Sequence, residues 1–290
     1  MTALLAVARA IHFASLMTIF GASTYAVLLR RKGLLGSSQR GMRVLFTTAA
    51  TLAIVSGISW LCMVAGQMSG RWQDALDPGI IALAATGTRF GHVFLGRLVG
   101  MAALWFMCAF GVRSDSLAIS ILAGLLLASL GPVSHAAAGG SAIASLGAIS
   151  DAAHLLTGGF WLGGLLVLAM FVKRHWTDRA CLLAGLRLFS TWGTAAVIIL
   201  VITGLANAIS ILPFATMSLR YSYFDLLLVK VGLASVMAGL AALNRWHFTP
   251  AIGTGDEGAN RHLARSIRSE IVLGFAVVAI AGLLGLLPPH

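Results

Sequence analysis

Eight histidines stand in this 290-residue chain, and five of them fall where long apolar runs end on one side: His12, His92, His135, His154 and His290. The other three, His175, His247 and His262, fall on the opposite side and are expected to face water. A lone histidine at the end of an apolar helix is most often an interfacial polar group, so grouping must carry any sharper reading. Asp151 and His154 are spaced i, i+3, which stacks them on one helix face, and Gly158 and Trp161 continue that face inward. Neutral imidazole is the commonest metal ligand in biology. Nitrogen and oxygen donors suit Cu(II), Zn, Ni or Fe, and soft thioethers add a preference for Cu(I). Met63 and Met68 lie at the same end and Met17 a turn or so below His12, although methionine in so apolar a chain is chiefly a core filler.

Two cations also sit inside apolar runs, Arg97 and Lys230. A charge in hydrocarbon costs about 2.5–3.5 kcal/mol or more, which marks such groups as functional candidates, with snorkelling to the headgroups as the plainer alternative. Protonated, neither ligates a metal. Their expected roles are structural pairing or anchoring an anion, with Asp151 and Asp225 as the carboxylates on the same side. Pro132 is expected to bend its helix just before His135, freeing backbone groups that a buried polar site can use. Gly159-x-x-x-Gly163 and Phe160-x-x-x-Gly164 offer small positions where another helix can approach closely.

No pattern of catalytic or nucleotide-binding residues stands beside these. Cys62, Cys108 and Cys181 are scattered without a CxxC pair, so neither a disulfide framework nor a thiolate cluster is expected. Gly253 to Gly258 spells G-x-G-x-x-G, but no strand precedes it, and it reads as a turn. No Walker loop, nucleophile elbow or HExxH occurs.

The elements that must position these residues are membrane helices. Hydrophobic residues make up 59% of the chain and charged ones 10%, with a mean hydropathy of +0.93. A soluble domain carries about 25% charged residues. Apolar runs recur at the length of about 20 residues that crosses hydrocarbon, and eight spans are expected: 8–29, 44–66, 91–112, 117–139, 151–172, 188–212, 226–248 and 269–287. They form one all-α transmembrane domain over 1–290. The net charge of +11 is topology and not a nucleic-acid footprint. Fourteen basic residues, from Arg30 to Arg268, fall in the odd-numbered connectors, against Arg71, Arg89 and Arg220 on the other side. By that bias the first set is cytoplasmic and both termini are periplasmic. Met1 to Ala8 lack the basic start of a secretory signal, so the first apolar stretch reads as a retained helix.

The halves 1–140 and 141–290 also resemble each other. His12 matches His154, Gly21 matches Gly163, Val55-Ser56-Gly57 resembles Ile202-Thr203-Gly204, and Arg97 corresponds to Lys230. Four helices per half return the chain to the same side, so the expected repeat is parallel, 4+4, about an axis along the membrane normal. In that arrangement His12 and His154 are equivalent and are expected to meet near the axis.

Arg9-x-x-His12, Phe90-Gly91 with Arg97, His135-Ala136-Ala137-Ala138, and Asp151-x-x-His154 with Gly159-x-Trp161-x-Gly163-Gly164 together resemble the copper resistance protein D family, as do Asn207, Tyr223 and Lys230. The resemblance runs over nearly the whole chain. It implies an eight-span bacterial inner-membrane protein that takes up or transfers copper, as Cu(I) or Cu(II), with a periplasmic CopC-like carrier as partner. His12, His135 and His154 are the implied metal positions, with Asp151, His92, Arg97 and Lys230 in support. Beside a copper permease stand two other readings. One is a membrane redox protein that uses the same histidines as axial haem ligands, since helix bundles hold cofactors between facing helices. The other is a sensor or assembly subunit that only receives metal from a carrier.

Overall fold

In hydrocarbon a helix satisfies its own backbone N–H and C=O groups, which is why runs of this length and polarity fold as helices. The computed structural model describes residues 2–36, 40–131, 142–211 and 222–287, and all regular elements among them are helical. Helices α1 (Thr2–Arg31) and α2 (Arg40–Ser69) come first. A 3₁₀ turn (Trp72–Leu76) and short α3 (Pro78–Gly87) lead to α4 (Arg89–Ala109) and α5 (Leu117–Ala128). Helices α6 (Ala142–Arg174), α7 (Arg179–Ile211) and α8 (Ser222–Leu243) follow. A π turn (Asn244–Phe248) then joins α8 to α9 (Thr249–Thr254), and α10 (Glu257–Leu284) is last. Side-chain caps set several boundaries: Asp77 accepts from the Gly79 and Ile80 amides ahead of α3, and Thr88 accepts from Gly91 at α4.

Among the described residues seven helices are long and apolar enough to cross a membrane. The expected fourth span is described as the 12-residue α5 and a turn to Gly131. Pro132 and His135 lie outside the described residues, as do Arg220, Tyr221 and His290. Most helices outrun the expected spans by a turn or more. The last one does so with consequence. Asp256 accepts from the Gly258 and Ala259 amides and starts α10 twelve residues before 269, so Glu270 sits at mid-helix and not at its mouth. The G-x-G-x-x-G stretch is this same turn, with Gly255 at φ 103° closing α9.

Helices α1 and α6 form the centre. The first packs on α2, α5, α6 and α10, the second on α1, α7 and α10. They cross where Gly21 meets Gly159 and Gly163. A Cβ on Gly21 would lie 2.0 Å from the Gly159 carbonyl oxygen, and one on Gly163 would lie 2.6 Å from that of Met17. Backbone contact this close is the means of helix association where lipid removes the hydrophobic drive. Leu16, Ile19, Ala22 and Tyr25 are fully buried beside the crossing, and the Tyr25 hydroxyl donates to the Gly185 carbonyl at 3.0 Å, tying α1 to α7. The outer helices present apolar side chains outward, among them Val201, Ile202, Leu205, Val229, Val231 and Val236. In water such a surface would associate; in a bilayer it is the lipid contact.

Candidate functional site

His12 precedes the Gly21 crossing by nine residues and His154 precedes Gly163 by nine, about 13.5 Å along each helix. Each ring turns into its own half of the bundle. His12 is fully buried. Its Nδ1 lies 3.0 Å from the Ala53 carbonyl oxygen on α2, and a carbonyl only accepts, so Nδ1 carries the proton. The lone pair is then on Nε2, where the Arg97 guanidinium of α4 donates at 2.8 Å. Arg97 is 3% exposed. It also donates to the Leu126 carbonyl at 2.6 Å and to the Ser129 hydroxyl, both at the end of α5. Trp60 and Phe94 wall the imidazole, with ring centroids at 5.7 and 6.1 Å. Over the Trp60 ring, at 5.0 Å, stands Arg9, which donates to the Gly285 carbonyl.

His154 sits in a matching setting. Its Nδ1 is 3.1 Å from the Thr203 hydroxyl on α7. That hydroxyl donates its own proton to the Ile199 carbonyl at 2.7 Å, so it accepts from the ring, and Nε2 again holds the lone pair. Gly57 and Gly204 give the rings room: a Cβ there would lie 3.4 Å from Cε1 of His12 and 3.2 Å from Cε1 of His154. Lys230 is the cation that acts on His154. Asp151 is the anion that acts on Lys230 and on Tyr223, and it accepts from the Asn207 amide at 2.6 Å.

The two settings differ in charge. Three residues before His154 stands Asp151; three before His12 stands Arg9. The His12 pocket therefore combines two cations, Arg9 and Arg97, whereas Lys230 has a carboxylate beside it. Arg97 pairs with an imidazole, not with the carboxylate anticipated from sequence, and Asp225 is exposed. His92 is exposed on α4. His12 and His154 form no three-donor group with another described side chain. Their relation to His135 falls outside the described residues.

Two buried carboxylates were not singled out from sequence. Glu270 is 1% exposed. It accepts from the Asn244 amide at 2.5 Å, and Trp161 is its other partner. It lines a cavity of about 310 Å³ shared by α6, α7, α8 and α10, with Ser190, Thr194 and Arg245 on the wall. The available signal was the polar run Arg261, Arg265, Arg268, which belongs to the same helix and moves Glu270 inward. Asp115 is fully buried and holds Arg113 at 3.0 Å through both oxygens, with Arg30 at 3.8 Å. Hydrogen bonding to Asp115, then its charge, raises the Arg113 guanidinium above its ordinary value.

Comparison with known proteins gives two family matches. Residues 1–146 match the family described as copper resistance protein D-like, N-terminal domain, and residues 183–284 match copper resistance protein D. The inner membrane protein YebZ of Escherichia coli K12 is 28% identical, over 97% of each chain. Copper resistance protein D of Pseudomonas syringae pv. tomato is 27% identical over 96% of this chain and 94% of its own length. The copper transport protein CutJ of Bacillus subtilis 168 is 26% identical, over 86% of this chain and 46% of that protein. No solved structure matches the chain.

Proposed function

The chain belongs to the copper resistance protein D family, and from that premise we propose that it is an inner-membrane protein that takes copper ions from the periplasmic side at a histidine site and passes them on. The observation that carries this reading is the tautomer of His154. Thr203 holds Nδ1–H, which leaves the Nε2 lone pair for a metal, in a pocket where Asp151 offsets the charge of Lys230. The His12 pocket is the weaker ligand site. Its lone pair is taken by Arg97, whose charge also opposes a cation there. We read His12 as a ligand only when the guanidinium falls back on Leu126 and Ser129, and His135, from the segment after α5, as the further imidazole.

A metal leaving water needs replacement donors, and neutral imidazoles supply them without burying excess charge. Asp151, one turn from His154, suits the role of a supporting carboxylate that orients and polarises the site. The sidedness rests on the fourteen-to-three bias in basic residues, which makes the end bearing Thr2 periplasmic. A soluble periplasmic carrier of the CopC type is then the natural donor. We also read residues 1–140 and 141–290 as parallel repeats. The meeting of Gly21 with Gly163 and the nine-residue offset to each histidine support this, as does the His–hydroxyl–Gly–cation set in each half.

The test is copper stoichiometry of purified protein together with uptake into vesicles, with and without carrier. His154→Ala is expected to abolish uptake and most binding at the periplasmic site, and Asp151→Asn to weaken affinity there about 10–100-fold. If folded His12→Ala, His135→Ala and His154→Ala proteins all bind copper like wild type, the reading is wrong.

A further inference from the structure

The turn from α6 into α7 gathers three donors of different chemistry. His175, Asp178 and Cys181 each offer one ligand atom, and these atoms lie within 4.8 Å of one another. Local hydrogen bonds fix the turn. The His175 amide donates to the Phe171 carbonyl at 2.9 Å and the Asp178 amide to the His175 carbonyl at 3.2 Å. Asp178 Oδ1 accepts from the Cys181 amide at 3.0 Å, capping α7. Capping explains Asp178 alone, and through one of its oxygens. It does not explain the other two. The His175 ring lies against Phe171 with centroids 4.5 Å apart, and its Nε2 is enclosed without a hydrogen-bond partner. Cys181 is a free, half-buried thiol. An enclosed ring nitrogen without a partner is uncommon in folded proteins and calls for an explanation.

Donors bound at 2.0–2.3 Å around one tetrahedral ion stand about 3.3–3.8 Å apart. The observed separation closes with roughly an ångström of side-chain rotation. A thiolate, an imidazole and a carboxylate carry enough negative charge to offset the flanking Arg174 and Arg179, and Arg179 is already drawn to the Ile252 carbonyl. Sulfur is the discriminating donor, since soft thiolate selects Cu(I) or Zn over harder cations, and the copper reading above makes Cu(I) the ion of choice. The location matters equally. His175 lies 21 residues beyond His154, α6 continuing to Arg174, so the two stand about 31 Å apart along the helix, roughly the hydrocarbon thickness.

We propose that His175, Asp178 and Cys181 form a second site for Cu(I) at the opposite membrane face from His154, where an ion that has crossed the bundle is held before release. This deepens the copper reading given above and rests on it for the route, though not for the binding itself. The experiment is anaerobic Cu(I) titration of the purified full chain against a chromophoric Cu(I) chelator. It is read by stoichiometry and by near-ultraviolet thiolate-to-copper absorption. Cys181→Ser and His175→Ala are expected to lose one equivalent, and Cys181→Ser is expected to lose the absorption although Cys62 and Cys108 are still present. Asp178→Asn, which still caps a helix, is expected to weaken the same equivalent at least tenfold. In the unaltered protein, Cu(I) is expected to slow alkylation of Cys181, followed by peptide mass spectrometry, at least tenfold. Equal alkylation rates with and without Cu(I), or wild-type stoichiometry in Cys181→Ser and His175→Ala, overturn the proposal. His154→Ala reports separately: wild-type binding there sinks the periplasmic site and leaves the Cys181 result standing.

Discussion

The contact between His12 and Arg97 makes a quantitative prediction. Arg97 is 3% exposed inside the bundle, and its named partners are His12 Nε2 at 2.8 Å, the Leu126 carbonyl at 2.6 Å and Ser129. Its Nε already lacks a partner. Removing the imidazole takes away a hydrogen bond to a charged group, worth about 1.5–3 kcal/mol. His12→Ala also removes ring packing against Trp60 and Phe94, so the single variant mixes two effects. A double-mutant cycle with Arg97→Met separates them, because packing cancels and only the pair remains. The expected coupling is about 1.5–3 kcal/mol, roughly a 10- to 150-fold change in the unfolding constant. The assay is reversible unfolding in mixed micelles with increasing dodecyl sulfate, followed by helical circular dichroism. Coupling below about 0.5 kcal/mol would be additivity. It would refute the claim that Arg97 holds the His12 lone pair, and with it the reason for ranking His154 above His12. The same cycle at His154 and Lys230 is expected to give less, since Thr203 holds that ring and Asp151 accompanies that cation.

Copper binding at the His154 site is expected to weaken in acid, because protonated imidazole cannot ligate; pH-independent affinity in equilibrium dialysis would speak against histidine ligands. Gly21→Ala is expected to destabilise the bundle by about 1–3 kcal/mol or more, since its Cβ would meet the Gly159 carbonyl oxygen at 2.0 Å; an unchanged unfolding midpoint would contradict the crossing. Glu270→Ala is expected to cost about 1–3 kcal/mol more than Glu270→Gln, because alanine leaves the Asn244 amide without an acceptor; equal midpoints would remove the carboxylate from the packing. Single cysteines at positions 40 and 179 are expected to be shielded from an external maleimide, and those at 71 and 221 to be labelled; label at 179 with none at 71 would invert the sidedness.

Composition and run length alone determined that the chain is a helical membrane protein, because a bilayer leaves a 20-residue apolar segment few other ways to satisfy its backbone. The motif around Asp151 and His154, the family and the small-residue stripe at Gly159 and Gly163 were also legible, since each depends on residues one or two helical turns apart. The partners of those residues were not. Sequence offered Asp151 and Asp225 as counterions for Arg97 and Lys230, yet Arg97 turns to His12, eighty-five positions away, and only the packing of α1 and α4 on α2 decides that. His12 and His154 correspond in sequence but face away into separate halves, because the glycine crossing brings backbones together nine residues below them. Glu270 was hidden for a local reason: an amphipathic first half disguised the start of α10, and the cap at Asp256 sets it. The His175 cluster eluded a reading by apolar spans for the converse reason. Its residues straddle the end of one helix and the start of the next, and only the fold of the turn between them brings the three side chains together.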